Sequence, residues 1–234
     1  MHQIAVKILN PESIPHIEKM VAFTARVTQS GHKIKSLEDL EALYNKPYKS
    51  LKPFCTLPHP TLQKFGTIDI AVVGASRRFL AQITRHQNEI KFMSASLQYS
   101  NYSDESDFVI PENISDKKAY LDACKQSMAQ YKKLIESGTD NDSAGYLAPQ
   151  SLRNVLIMSA TPYQWKHMIN QRICNRNTRE TQYVMELIYN ELKEFELFQY
   201  GVGPFCWFGE CKEGKMTCGK PYEFNLQNKV HEVV

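Results

Sequence analysis

LAQITRHQNEIKFMSASLQYSNYS, residues 80–103, crowds Gln82, Arg85, His86, Gln87, Ser94, Ser96, Gln98 and Tyr99 into one short span. An ordinary buried element of that length carries an apolar stripe and few groups able to grip phosphate, so this one reads as a binding site with little room for core. Residues 75–84 have helical character, with Phe79, Leu80 and Ile83 at three- and four-residue spacing and Arg77 and Arg78 on other faces. The end of that helix delivers Gln82, Arg85 and His86 to one neighbourhood. A planar, permanently charged guanidinium beside an imidazole suits a phosphate or an electron-rich ring. On these residues alone, a cationic helix end exposed to water remains the alternative.

Outward from this stretch, residues 67–73 read as a strand feeding the helix, because Ile68, Ile70 and Val72 alternate. Residues 4–9 form a second strand with Ile4, Val6 and Ile8 in period two. Asn10, Pro11 and Glu12 then start a helix, with Asn10 as the capping residue and proline in the first turn. Ile14, Ile17, Met20, Val21 and Ala25 continue its apolar face. Residues 33–60 read as a surface connection holding a short helix at 37–44, and residues 100–111, with Phe108, Val109 and Ile110, as an extended segment. Tyr120, Leu121, Cys124, Met128, Tyr131, Leu134 and Ile135 trace a strong helix over 116–136, which Gly138 ends. The polar run 139–143 predicts a loop, and 149–158 a short helix presenting Arg153 opposite Val155 and Leu156. Residues 163–175 are ambiguous, a strand or turn followed by helix. Residues 178–198 form a long amphipathic helix with Val184, Leu187, Ile188, Leu192 and Phe195 inward.

With 234 residues and 42% apolar content, the chain can bury a core as one domain or a domain plus a small subdomain. A net charge of +3 is too mild for a dedicated nucleic-acid binder, yet compatible with a local anion site. No long apolar run and no secretion signal are present, so a soluble, cytoplasmic protein without a membrane role is expected. Six cysteines in such a chain are expected to be reduced thiols, and Cys124, on an apolar stripe, reads as core. Cys206-x4-Cys211-x6-Cys218, with Cys174 as a further thiol, has enough thiolates for zinc, but the spacing lacks Cys-x-x-Cys knuckles and no metal ligand is assigned. No Gly-x-Gly-x-x-Gly follows a strand, which argues against a Rossmann dehydrogenase. The glycines around Gly201-Val202-Gly203-Pro204 suggest a folded tail packing over a neighbour.

Arg85-His86-Gln87, followed after a spacer by Ser96-Leu97-Gln98-Tyr99-Ser100, resembles the Arg-His-Arg and Ser-x-Arg-Tyr signature of flavin-dependent thymidylate synthases. Gly74-Ala75-Ser76-Arg77 with Gln82, His59-Pro60-Thr61, Thr24-Ala25-Arg26-Val27, Arg153-Asn154-Val155-Leu156, and Arg176 six residues before Gln182 are similar to further elements of that family, in one order. The tail from Cys206 to Gly219 looks like a cysteine-bearing extension of some members. The resemblance implies an α/β (α+β) fold: a single domain whose central, mostly antiparallel sheet is flanked by helices. The catalytic domain would span 1–200 and the extension 201–234, in a homotetramer with active sites shared between subunits.

The resemblance also implies the chemistry. FAD would be held by His59, Thr61, Arg85, His86, Gln87, His167 and Gln171. The nucleotide would be held by Gln82, Ser94, Ser96, Leu97, Gln98, Arg153 and Arg176. Arg176 would be catalytic, its guanidinium steadying negative charge on the uracil ring. The implied reaction is reductive methylation of dUMP to dTMP, with methylenetetrahydrofolate as one-carbon donor and NADPH as reductant. Ser96 has no assignable activating base and is given to substrate hydrogen bonding. The chain departs from the family at Gln87 and Gln98, where arginine is usual, and by one extra residue in the spacer before Ser96. If the family's two arginines face phosphate, each glutamine would weaken the grip on a dianion by roughly 1.5 to 3 kcal/mol per charged hydrogen bond not replaced elsewhere. Arg77, Arg78 or Lys91 are candidate replacements. The alternative is a changed substrate, another uridine nucleotide such as UMP, or a non-catalytic nucleotide-binding relative.

Overall fold

Residues 68–76 set the frame. In the computed structural model, which describes residues 3–105, 107–209 and 211–223, strand β1 spans Ala5–Ile8 and β2 spans Ile68–Ser76. β2 buries Ile68, Ile70 and Val72 on one face, the alternation its sequence demands. Between β1 and β2 run α1 (Ile14–Ser30), α2 (Leu37–Asn45) and α3 (Lys52–Cys55). Helix α4 (Arg77–Ile83) and strand β3 (Ile90–Ser94) follow, then α5 (Lys117–Glu136), α6 (Asn141–Gly145), β4 (Arg153–Ala160), α7 (Pro162–Arg172) and α8 (Arg179–Leu192). All strand pairs are antiparallel, in the order β1-β2-β4-β3. The fold is therefore one domain built on an antiparallel sheet with helices, as the resemblance implies.

The main core lies between one sheet face and the helices. Ile14, Ile17, Val21 and Ala22 of α1 and Val184, Met185 and Ile188 of α8 pack with Ile68, Ile70, Val72, Leu156 and Met158. Trp165 of α7 is fully buried there, and its indole N–H donates to the Ile68 carbonyl at 2.9 Å. A smaller cluster joins Cys124, Met128 and Tyr131 of α5 to Phe108 and Leu152, so Cys124 is core as expected. The opposite sheet face leaves Val73, Val155 and Met93 exposed. Gly74 sits at φ +86° at the irregularity between Val73 and Ala75, and an added Cβ would meet the Gln3 carbonyl oxygen at 3.2 Å. Among the described residues, no helix is long and apolar enough to cross a membrane.

Several expectations are corrected. Residues 149–158 form no helix: Arg153–Ala160 is a central strand, paired to both β2 and β3. Asn154, Leu156, Met158 and Ala160 bury one face in period two, a pattern that a short apolar run hides when read alone. Strand β3 was not expected, and Ile90 and Phe92 pack partly against the core, so residues 80–103 contribute more packing than their polar content implies. Asn10 holds the N-cap position of a 3-10 turn, Pro11–Ser13, that runs into α1, but its side chain makes no capping bond; it accepts from the Asp69 N–H at 2.8 Å and donates to the Thr67 carbonyl at 3.1 Å, tying β1 to β2. Residues 139–143 are not all loop, because Asp140 caps the short α6, accepting from the Ser143 N–H at 2.9 Å. The ambiguous 163–175 region is helix through Arg172, started by Thr161 as cap and Pro162 in the first turn. The long C-terminal helix stops at Leu192, and a single 3-10 turn, Glu196–Phe198, follows. Of the expected extension, Glu210 and residues 224–234 lie outside the described residues.

Candidate functional site

Helix α4 begins where β2 ends, and Ser76 belongs to both. Its hydroxyl accepts from the Phe79 N–H at 3.1 Å, capping α4, while its own N–H and hydroxyl donate to the Glu180 carboxylate at 2.6 Å each. Burial pushes the Glu180 carboxyl up, opposed by those two bonds from Ser76. One buried residue in the first turn of α8 therefore fixes how α4 and α8 meet.

That junction places Gln82. Its side-chain oxygen accepts from the Thr178 hydroxyl at 3.1 Å and the Thr181 hydroxyl at 2.6 Å, at the start of α8. Its carbonyl accepts from an Arg172 Nη at 3.3 Å. Arg172, the last residue of α7, also donates from Nε to His86 Nε2 at 2.8 Å and from Nη1 to Asn177 Oδ1 at 3.3 Å. Because Nε2 accepts, the His86 proton sits on Nδ1 and the ring is neutral. Burial, then Arg172, then His167 hold His86 down to about 4 from 6.5. His167 meets His86 edge-on with centroids 5.9 Å apart, and burial and Arg172 lower it too. Burial and then Arg85 depress Arg172, so two guanidiniums repel one another beside two neutral imidazoles. An anion placed between them would relieve that repulsion.

The remaining expected site residues fall in separate concavities of the chain. Gln171, Arg172 and the exposed Arg176 line a cavity of about 790 Å³ walled by the tail. Gln87 and His167 share another of about 540 Å³ with Lys64, Glu89 and Tyr163. Glu89 there holds φ 55°, pinned by an ion pair to Lys64 and a 3.0 Å bond from the Thr161 hydroxyl. Backbone strain of this kind gathers at functional sites. His59 and Thr61 line a mostly apolar cavity of about 800 Å³ against α1, with Met20, Phe23, Leu57 and Phe65. Ser94 lies in a shallow concavity with Arg77, Thr84 and Phe92. The Ser96 hydroxyl accepts from the Gln98 and Tyr99 N–H groups at 3.1 and 3.4 Å, Leu97 packs on the smaller core, and Gln98 is exposed. Arg153 pairs with Glu105 at 3.6 Å and Asp107 at 3.3 Å.

The structure thus joins Gln82 and His86, as expected, and brings His167 to them. It adds Arg172, Thr178 and Thr181. Nothing local marks Arg172 in the sequence. The usable signal is helical: once α7 is read as helix, Arg172 closes its last turn just beyond His167 and Gln171.

The description "thymidylate synthase complementing protein" names a family whose model matches residues 12–195. A flavin-dependent thymidylate synthase of Clostridium tetani is 25% identical over 245 residues, covering 94% of this chain and 96% of that protein. Thymidylate synthase X from Helicobacter pylori, solved with FAD and dUMP, superposes with a TM-score of 0.64 at 14% identity, over 85% of this chain and 96% of that one. The UMP/dUMP methylase PolB from Streptomyces cacaoi, bound with 5-Br dUMP, gives a TM-score of 0.62 at 14% identity, over 85% and 94%. With most of the chain matched and the antiparallel fold shared, the chain belongs to the thymidylate synthase complementing protein family and is an enzyme of the methyltransferase type.

Proposed function

We propose that the protein is an FAD-dependent thymidylate synthase that methylates C5 of dUMP, taking the carbon from methylenetetrahydrofolate and the reducing equivalents from NADPH. The observation that carries this reading is the Arg172–His86–Gln82 cluster, set at the junction of α4, α7 and α8 inside the family match. Its donor set fits the cofactor. Arg85 and Arg172 suit the diphosphate or an electron-rich ring, and His86, His167, Gln87 and Gln171 offer uncharged hydrogen-bonding groups beside them. When bound, the flavin would supply the hydride chemistry, and the protein would supply position and electrostatics.

A group that steadies developing charge must be fixed before the reaction. Arg172, held by bonds to His86, Gln82 and Asn177, meets that requirement better than exposed Arg176, so Arg172 takes the role that resemblance gave to Arg176. Arg153, released from Glu105 and Asp107, would hold nucleotide with Ser94, Ser96, Leu97 and Gln98. His59 and Thr61, placed in their own cavity, would complete a flavin site on a neighbouring copy of a cytoplasmic homotetramer. Residues 1–200 form the catalytic unit in this reading, and 201–234 the extension.

The glutamines at 87 and 98 favour one further reading, a methylase acting on UMP. One preparation tests both. Purified protein should show flavin absorption and release tritium from C5-labelled dUMP when given reductant and folate. Faster release from labelled UMP would select the second reading, and a protein that cannot be loaded with FAD would end the first.

A further inference from the structure

The cavity beside Arg172 and Arg176 is lined by Cys174, Cys206, Cys211 and Cys218. The other two cysteines, Cys55 and Cys124, are buried in the core, and all six are free. Every thiol outside the core therefore borders one space, although Cys174 follows α7 and its three companions lie far downstream. Cys206-x4-Cys211 falls at the wide end of the ligand spacing used by structural zinc sites.

The wall of the cavity is also charged in the required sense. Among the described residues, Arg172, Arg176, Lys212 and Lys220 line it together with the acid Glu213. Zinc held by four thiolates carries a formal charge of about −2, which such cations offset.

We propose that Cys174, Cys206, Cys211 and Cys218 bind one zinc(II) ion as a structural site that clasps the tail to the end of α7. Four S–H bonds break, four Zn–S bonds form, four protons pass to solvent, and no electron is transferred. Soft thiolate ligands and a closed four-ligand shell select zinc. Among the described residues, no three His, Cys, Asp or Glu side chains already stand at ligand spacing, so the ion draws the tail inward. The described part of the tail holds the 3-10 turns Phe205–Trp207 and Gly214–Met216, Cys218 is exposed, and the Asn175 side-chain amide already ties the tail to the end of α7 by donating to the Lys220 carbonyl at 3.3 Å. The proposal is independent of the flavin reading, because its readout is metal content.

The test uses the full chain, purified under reducing conditions without a metal-affinity tag and assayed by elemental mass spectrometry, then titrated with zinc and with cobalt(II). One zinc per chain is expected, with thiolate-to-cobalt charge-transfer bands in the cobalt form. Cys174→Ser and Cys211→Ser should each weaken zinc binding at least about tenfold, while Cys124→Ala leaves it intact, with circular dichroism confirming that each variant folds. A fully reduced protein that takes up no zinc, or a folded Cys174→Ser variant that binds as tightly as the parent, would overturn it. So would finding the tail thiols joined as disulfides in a protein that rejects zinc after reduction.

Discussion

His86 shows how much one residue's surroundings decide. The folded chain keeps its imidazole neutral down to about 4, whereas the unfolded chain binds the proton near 6.5. Between those values the unfolded state holds more protons, so stability rises with pH and is lost as pH falls from 6.5 toward 4. The loss should be on the order of 3 kcal/mol, read as a falling urea midpoint, and His86→Gln should flatten that slope. Arg172 is the second test. Arg172→Ala should slow tritium release from C5-labelled dUMP about 10- to 100-fold in FAD-loaded protein, while Arg176→Ala does less. An equal effect of the two substitutions would count against the assignment of Arg172. At this scale the sequence is legible where chemistry is local: Gln82, Arg85 and His86 sit within a single turn of one another. Arg172 escapes because its partner His86 is distant in the chain, and only folding reveals the bond.

Among the elements, β4 carries the most. It pairs with β2 on one side and β3 on the other, and it starts at Arg153. Its sequence is a short apolar run that fits either helix or strand, so periodicity alone misplaces it, whereas β1, β2, α2 and α5 lie where alternation or helical spacing puts them. Gly74 probes the sheet. Its positive φ and the nearby Gln3 carbonyl mean that Gly74→Ala should destabilise the fold by about 1 to 2 kcal/mol, seen as a lower urea midpoint at unchanged slope. An unchanged midpoint would show that the irregularity in β2 relaxes freely. The α4–α8 junction yields a matching test. Glu180→Ala strips the Ser76 N–H and hydroxyl of their acceptor and should lower both stability and flavin retention, because Gln82 is held by Thr178 and Thr181 at the same α4–α8 junction.

The whole molecule was legible chiefly through the ordered series of motifs, which implied the antiparallel fold. Local patterns could not supply the strand order β1-β2-β4-β3, since it depends on which distant segments meet. Sedimentation of the purified protein should give a mass four times that of the chain, and a stable monomer would rule out sites assembled between copies. The separation of His59 and Thr61 from the Arg172 cluster has a genetic corollary under that arrangement. Two alleles, one crippled at His59 and the other at Arg172, would each encode a dead protein when alone. Produced together, they would form mixed particles in which some sites draw intact halves from both parents, and a thymidine-requiring host carrying the pair would grow.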